Sequence, residues 1–220
     1  MCAAKAYVFD AYGTLFDVHS AVGRYRSELG DVADQLSALW RDKQLQYTWV
    51  RALTGRHKPF HDVTADGLDF AISAVGGVDD GIRQKLLDAY MTLDAYPEVR
   101  DVLASLKEGG ARLAILSNGS PAMLDAAVTS SGIADLLDAS LSIEDVGVYK
   151  PDPKVYQLAV DRLGVASDEI SFQSSNRWDI AGAKAFGFRC VWINRFGQPD
   201  EFADMSPDHV LTSLSPLPTV

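Results

Sequence analysis

Five short apolar runs, separated by helix-length amphipathic segments, constrain this chain more than any other feature. The runs cover residues 6–10 (AYVFD), 112–117 (RLAILS), 138–142 (DASLS), 170–174 (ISFQS) and 189–194 (RCVWIN). Helical patterns occupy 98–108, 121–131, 153–163 and 179–186 between them. Strands that alternate with helices predict an α/β fold, a Rossmann-like parallel sheet with helices on both faces. A length of 220 residues accommodates such a core together with a smaller insert.

The insert has a clear place. From about residue 17 to 94 there is no strand pattern, only helical ones. In 36–50, Leu36, Leu39, Trp40, Tyr47 and Val50 share one stripe at helical spacing, and Arg41, Leu45 and Trp49 lie opposite. A helix apolar on two faces is covered twice, by its own bundle and by another surface. The expected organisation is an α/β core of residues 1–15 and 96–220, with a helical cap of residues 16–95 closing over the C-terminal edge of the sheet. Open α/β folds bind their ligands at that edge.

Composition removes several function classes. Twenty Lys and Arg against 30 Asp and Glu leave a formal charge of -10, a surface that repels nucleic acid and anionic membranes. Cys2 and Cys190 are the only cysteines, too few for a disulfide framework or a thiolate zinc cluster. Asp10 interrupts the apolar N-terminal stretch, and no apolar run approaches the ~20 residues that cross a bilayer, so the expected location is the cytoplasm.

Polar clusters follow four of the apolar runs. Asp10-Ala11-Tyr12-Gly13-Thr14 follows the first, where Gly13 permits a tight turn and the Thr14 hydroxyl can donate to Asp10. Asp before Gly-Thr is also ordinary turn chemistry. Ser117-Asn118-Gly119 closes the second run, and Lys150-Pro151-Asp152-Pro153 opens a helix after the third. Ser174-Ser175-Asn176-Arg177-Trp178-Asp179 follows the fourth. In a parallel sheet these clusters converge on one crevice, which turns an unremarkable turn into a candidate nucleophile site.

The chain resembles the haloacid dehalogenase superfamily, specifically its 2-haloacid dehalogenases. FDAYGTLFD (9–17), LWRDKQLQYTW (39–49), LAILSNGSP (113–121), VYKPDPKVY (148–156), SSNRWD (174–179) and WINRFG (192–197) carry the resemblance across nearly the whole chain. The resemblance implies that Asp10 attacks a small 2-haloalkanoic acid, releases the halide ion, and is regenerated by hydrolysis of the resulting ester. It implies that Lys150 keeps Asp10 charged, as a neighbouring cation does for a carboxylate. Ser117 and backbone amides near Ala11 and Tyr12 would bind the substrate carboxylate. Arg41, Asn118 and Trp178 would cradle the halide, and Asp179, Ser174 and Asn176 would position the hydrolytic water and Lys150. Tyr156, Phe60 and Leu45 would support the site, although Tyr156 and Phe60 also read as core packing. No cofactor or metal is expected, and a homodimer is a family expectation.

Other residues read more plainly. Trp40 and Tyr47 suit the cap core. His57 and His61 have i,i+4 spacing, but Pro59 argues against a regular helix there and so against a metal pair. His19 and His209 read as surface or supporting residues, and Asp79-Asp80 as a solvated turn. Arg177, where similar proteins carry a small residue, is expected to point outward.

Two other classes compete: a magnesium-dependent phosphatase of the same superfamily, and a non-enzymatic α/β binding domain. Phosphatases resembling this fold carry a second Asp two residues after the nucleophile, where this chain has Tyr12, and an acidic pair where it has Asp179 alone. One carboxylate in place of two is a poor hard-cation site. Halide needs no protonation to leave, so Tyr12 is no handicap to dehalogenation. Halide release from 2-chloropropionate is therefore expected to persist in EDTA, with p-nitrophenyl phosphate untouched on adding magnesium. Robust magnesium-dependent phosphatase activity would favour the phosphatase class.

Overall fold

A computed structural model describes residues 4–219, which leaves Cys2 outside the described residues. The expected parallel sheet is present. Strand β1 (Ala6–Phe9) lies at its centre, flanked by β2 (Arg112–Ser117) and then β3 (Ala139–Ser142) on one side. On the other side lie β4 (Ile170–Ser174), β5 (Arg189–Ile193) and β6 (His209–Leu211). All pairings are parallel, in the order β3-β2-β1-β4-β5-β6. Connections run outward from β1 in one direction and then return to its other side, so the chain reverses between β1 and β4. A crevice opens where strand order reverses, outside the carboxyl ends. Asp10 and the 174–179 loop lie at those ends.

The sheet is buried on both faces, which is why its strands read as apolar runs rather than alternating ones. Val8, Phe9, Ile115, Leu116, Phe172 and Ile193 are fully buried. Each such large side chain contributes about 1.5–3 kcal/mol by leaving water. Strand β6 was not foreseen. It has only three residues and its Val210 is 53% exposed, so it carries no apolar signature.

Five helices stand between β1 and the helix that leads into β2: α1 (Ser20–Gly23), α2 (Arg26–Leu29), α3 (Ala33–Thr54), α4 (Phe60–Ala74) and α5 (Ile82–Tyr90). The chain leaves and rejoins the sheet layer side by side: Tyr96 N donates to Leu15 O at 3.0 Å, and Asp17 N to Asp94 O at 2.8 Å. Helix α6 (Val99–Glu108) then returns the chain to β2. The remaining helices, α7 (Pro121–Ser130), α8 (Pro153–Leu163) and α9 (Arg177–Phe186), make the crossovers among β2, β3, β4 and β5.

The stripe expected on α3 is partly corrected. Leu36 and Trp40 are buried, but Val50 is 52% exposed, and the buried face continues through Gln44 and Thr48. Apolar spacing does not register polar residues that a partner helix satisfies. Here α4 supplies the partners: Trp40 Nε1 donates to Thr64 O at 2.8 Å, and Gln44 Nε2 to Thr64 Oγ1 at 2.7 Å.

One close approach depends on a missing side chain. A Cβ at Gly182 of α9 would lie 2.5 Å from Pro151 Cβ and 2.5 Å from the Tyr156 hydroxyl. Gly182 therefore lets α9 pack onto the start of α8, where Lys150 and Tyr156 enter the crevice. Gly182→Ala is expected to lower stability by about 1–3 kcal/mol through overpacking, read as a lower urea midpoint with an unchanged slope.

Candidate active site

Asp10 is the first residue past β1, and its backbone N still donates to Gln173 O of β4 at 2.9 Å. The following turn folds back on itself, with the amides of Thr14, Leu15 and Phe16 all donating to Ala11 O and that of Gly13 to Phe16 O. Gly13 has φ +93°, a conformation that glycine adopts without strain. The amides of Ala11 and Tyr12 are not among the donors that close this turn.

The Asp10 carboxylate is buried and fully engaged. Lys150 Nζ donates to Oδ1 at 3.1 Å. Oδ2 accepts from Asn176 Nδ2 at 2.8 Å, Thr14 Oγ1 at 3.2 Å and Ser174 Oγ at 3.3 Å. The donors hold one another in turn. Ser175 N donates to Thr14 Oγ1 at 2.8 Å, and Asn176 N to Ser174 Oγ at 3.1 Å. A carboxylate with this many donors stays where the strand end places it.

Lys150 is 1% exposed, and its ammonium bridges two carboxylates, Asp10 and Asp179, the latter at 2.8 Å. Burial alone would discharge it; the two acids outweigh burial and hold its pKa above the usual lysine range. Asp179 is wholly buried, and its other oxygen accepts from the Tyr156 hydroxyl at 2.8 Å. Burial pushes the Asp179 pKa up to about 6, against the pull of Lys150 and with a further push from Asp10. Tyr156 also packs among Phe172, Phe186 and Phe188, so it is core and site residue at once.

Arg41 reaches the same cluster from α3. Its Nη2 donates to Tyr12 O at 3.2 Å and Asn176 Oδ1 at 3.3 Å, and its Nη1 to Gln44 Oε1 at 2.8 Å. Asn118 joins through the backbone: its Oδ1 accepts from Lys150 N at 3.1 Å, which leaves its NH2 as a donor. Ser117 is buried and its Oγ accepts from Gly119 N at 3.1 Å, with its own hydrogen still to give. Phe60, buried at the start of α4, tilts over the Tyr12 ring at 5.6 Å. Tyr12 is stacked on Tyr90 at 5.6 Å, and burial raises its pKa well above the ordinary tyrosine value, so it exchanges no proton near neutral pH.

Three candidates stand apart from this network. Among the described residues no hydrogen bond joins Ser117, Leu45 or Trp178 to Asp10. Leu45 is half-buried one turn after Arg41, and Trp178 meets Trp49 of α3 edge to face at 5.5 Å. Arg177 requires a correction. It does not point outward; it is 5% exposed, with Nε donating to Asp200 Oδ1 at 2.6 Å and Nη2 to Phe202 O at 3.1 Å. A cation at the first turn of a helix opposes the helix dipole, and Asp200 offsets it. His57 lies outside α4, its ring tilted against that of Tyr149 at 5.3 Å, and His19 Nδ1 lies 2.7 Å from Ser37 Oγ.

Sequence reasoning did not single out Gln44, Thr64, Tyr90 or Arg195. Arg195 lies in the WINRFG string and donates to Thr14 O at 2.8 Å while paired to Glu98 at 2.7 Å. For Gln44 the available signal was its place three residues after Arg41, on the face that holds Trp40.

A family model described as haloacid dehalogenase-like hydrolase matches residues 4–187. The chain is similar to (S)-2-haloacid dehalogenase 1 of Pseudomonas sp. (strain CBS-3), with 46% identity over 97% of this chain and 95% of that protein. Among solved structures it is similar to a dehalogenase at TM-score 0.97, with 46% identity over 99% of this chain and 96% of the other. It is also similar to the L-2-haloacid dehalogenase of Xanthobacter autotrophicus with chloropropionic acid covalently bound. That likeness has TM-score 0.87 and 35% identity, over 98% of this chain and 97% of the other.

The Asp179 carboxyl sets an expected pH response. With its pKa raised, it takes up a proton as pH falls through about 6, and the Lys150 bridge loses one of its two anions. The specificity constant for halide release should fall about tenfold per pH unit below that point, as for one essential ionised group. A profile flat down to pH 4.5 would show that the ionised form is not required.

Proposed function

The chain belongs to the haloacid dehalogenase-like hydrolases, and from that membership we propose that it hydrolyses (S)-2-haloalkanoic acids to 2-hydroxy acids through a covalent ester on Asp10. One observation carries this reading over phosphatase chemistry. The place of a second acid is taken by Tyr12, buried, stacked on Tyr90 and held protonated, while the nucleophile is bound to a buried ammonium. Such a site supplies an ionised nucleophile and no proton for a leaving group, which suits halide.

In the first step an Asp10 oxygen attacks the α-carbon from behind the carbon–halogen bond. A carbon–oxygen bond forms, and the halide departs with the bonding electrons. Arg41, with the Asn118 NH2 and Trp178, supplies positive charge and an apolar wall where the negative charge develops. Ser117 and the free amides at Ala11 and Tyr12 hold the substrate carboxylate and so aim the α-carbon. Phe60 and Leu45 wall the space for the alkyl group. In the second step water attacks the Asp10 carbonyl carbon, and the bond from that carbonyl carbon to the ester oxygen breaks, so the oxygen first carried by Asp10 leaves on the α-carbon. The 2-hydroxy acid leaves, and Asp10 returns as carboxylate. We assign one proton of that water to Asp179, which passes it to the departing alkoxide and whose raised pKa fits a base working near neutrality. Ser174, Asn176 and Thr14 keep Asp10 in place throughout, and Tyr156 does the same for Asp179.

Residues 16–95 act as a cap that carries Arg41 to the site. The enzyme works as a homodimer in the cytoplasm, a reading supported by the resemblance and the scarcity of cysteine. No helix among the described residues is long and apolar enough to cross a membrane.

Isotope placement tests the scheme. With enzyme in excess over (S)-2-chloropropionate in 18O-water, the first turnover should give unlabelled (R)-lactate, with the label on Asp10. Label in the lactate of the first turnover would mean direct attack by water, with Asp10 as base rather than nucleophile.

A further inference from the structure

Gln44 is a fully buried polar side chain in the middle of α3, and the reaction as described does not use it. Both ends of its amide are engaged. Nε2 donates to Thr64 Oγ1 at 2.7 Å, and Thr64 in turn donates that hydroxyl to Phe60 O at 2.8 Å. With its hydrogen spent, Thr64 Oγ1 is only an acceptor toward Gln44, so the amide has a single orientation. Its Oε1 must face the other way. There it accepts from Arg41 Nη1 at 2.8 Å and from the Tyr90 hydroxyl at 3.1 Å. Tyr90 is stacked on Tyr12 beside the nucleophile.

This arrangement aims Arg41 with a neutral group. Three residues apart on one helix, Gln44 and Arg41 are surface neighbours, and the amide fixes one arm of the guanidinium while the other lies over Tyr12 O and Asn176. A carboxylate at the same position would hold Arg41 equally well, but it would already neutralise the charge that a departing halide needs. An amide oxygen orients the guanidinium and leaves its positive charge to act when charge develops.

We propose that Gln44 is the positioning residue for Arg41 in halide departure, setting how well the enzyme expels a poor leaving group. The inference rests on the reading of Arg41 as part of the halide cradle. Because it concerns the first step, the readout is halide release in a single turnover, compared for 2-chloropropionate and 2-bromopropionate. Chloride leaves less readily than bromide and depends more on electrostatic help. Gln44→Leu is expected to slow chloride release by about ten- to a hundredfold, by analogy with loss of the outer partner that orients a metal ligand, and bromide release by clearly less. Gln44→Glu keeps the shape and the bonds to Arg41 and Tyr90, with the Thr64 hydroxyl turned from Phe60 O onto the new oxygen, and it should show the same chloride-selective loss.

Equal losses for the two halides in whichever variants fold, or no loss, would overturn the proposal and leave Gln44 a packing residue. Arg41→Ala, run in parallel, separates the two levels. Its loss should also be chloride-selective; a loss indifferent to the halide would overturn the halide reading of Arg41 itself, and the inference about Gln44 with it.

Discussion

The Lys150 ammonium, out of water between Asp10 and Asp179, is the constraint on which the rest of the site depends. Three charges buried together are stable only if each is paired and hydrogen-bonded. Removing one partner from such a cluster typically costs about 3–5 kcal/mol, because a bare charge is left inside. Every neighbouring device answers that requirement. Tyr156 donates to the free oxygen of Asp179, three donors saturate the second oxygen of Asp10, and Asn118 holds the Lys150 backbone. Two carboxylates against one ammonium leave an anionic excess, and Arg41, arriving from α3, meets it. A pure binding domain would have no use for so costly an arrangement.

The same logic explains why the site spans two layers. Strand ends alone deliver Asp10, Ser117, Ser174 and the loop to Asp179, all from one edge of the sheet. With Lys150, which follows β3, that edge delivers one cation to Asp10. A second cation, Arg41, comes from α3, twenty-two residues long, whose one face must pack on α4 while another reaches the core. Gln44 belongs to the first face and touches Arg41 on the second, so the packing of α3 on α4 is transmitted to a guanidinium bonded to Tyr12 O and Asn176. Contacts nearer the mouth brace the two layers: Tyr149 donates to Lys58 O at 2.5 Å, and Phe60 N donates to Glu144 Oε1 at 3.2 Å.

Tyr12 shows how one position separates two chemistries on one scaffold. Its ring fills the space between Phe60 and Tyr90, where a short acid would leave a cavity, and its buried hydroxyl has no hydrogen-bond partner among the described residues. Bulk and retained proton together make the site apolar on the side where a phosphate ester would need a proton donor.

Much of this was legible in the linear chain. The alternation of apolar runs and helical patterns determined a parallel sheet, because strands buried on both faces must be apolar throughout. The polar residues that end those runs had to meet at one edge, since parallel strands all point the same way. Six strings spread over nearly the whole chain then carried the family. Two kinds of feature were not legible. Strand β6, with its exposed Val210, has no apolar signature because it lies at the sheet edge. Arg177 reads as a surface cation, yet it is buried because Asp200 and Phe202, more than twenty residues away, fold over it. Gln44 likewise breaks an apolar stripe until Thr64 and Tyr90 are seen around it. Sequence by itself determined which residues are apolar and where chemistry-bearing groups end each strand, since both follow from local pattern. Only tertiary structure decided which polar groups are buried and what each one faces, because a buried polar residue is stable only through partners that sequence distance conceals.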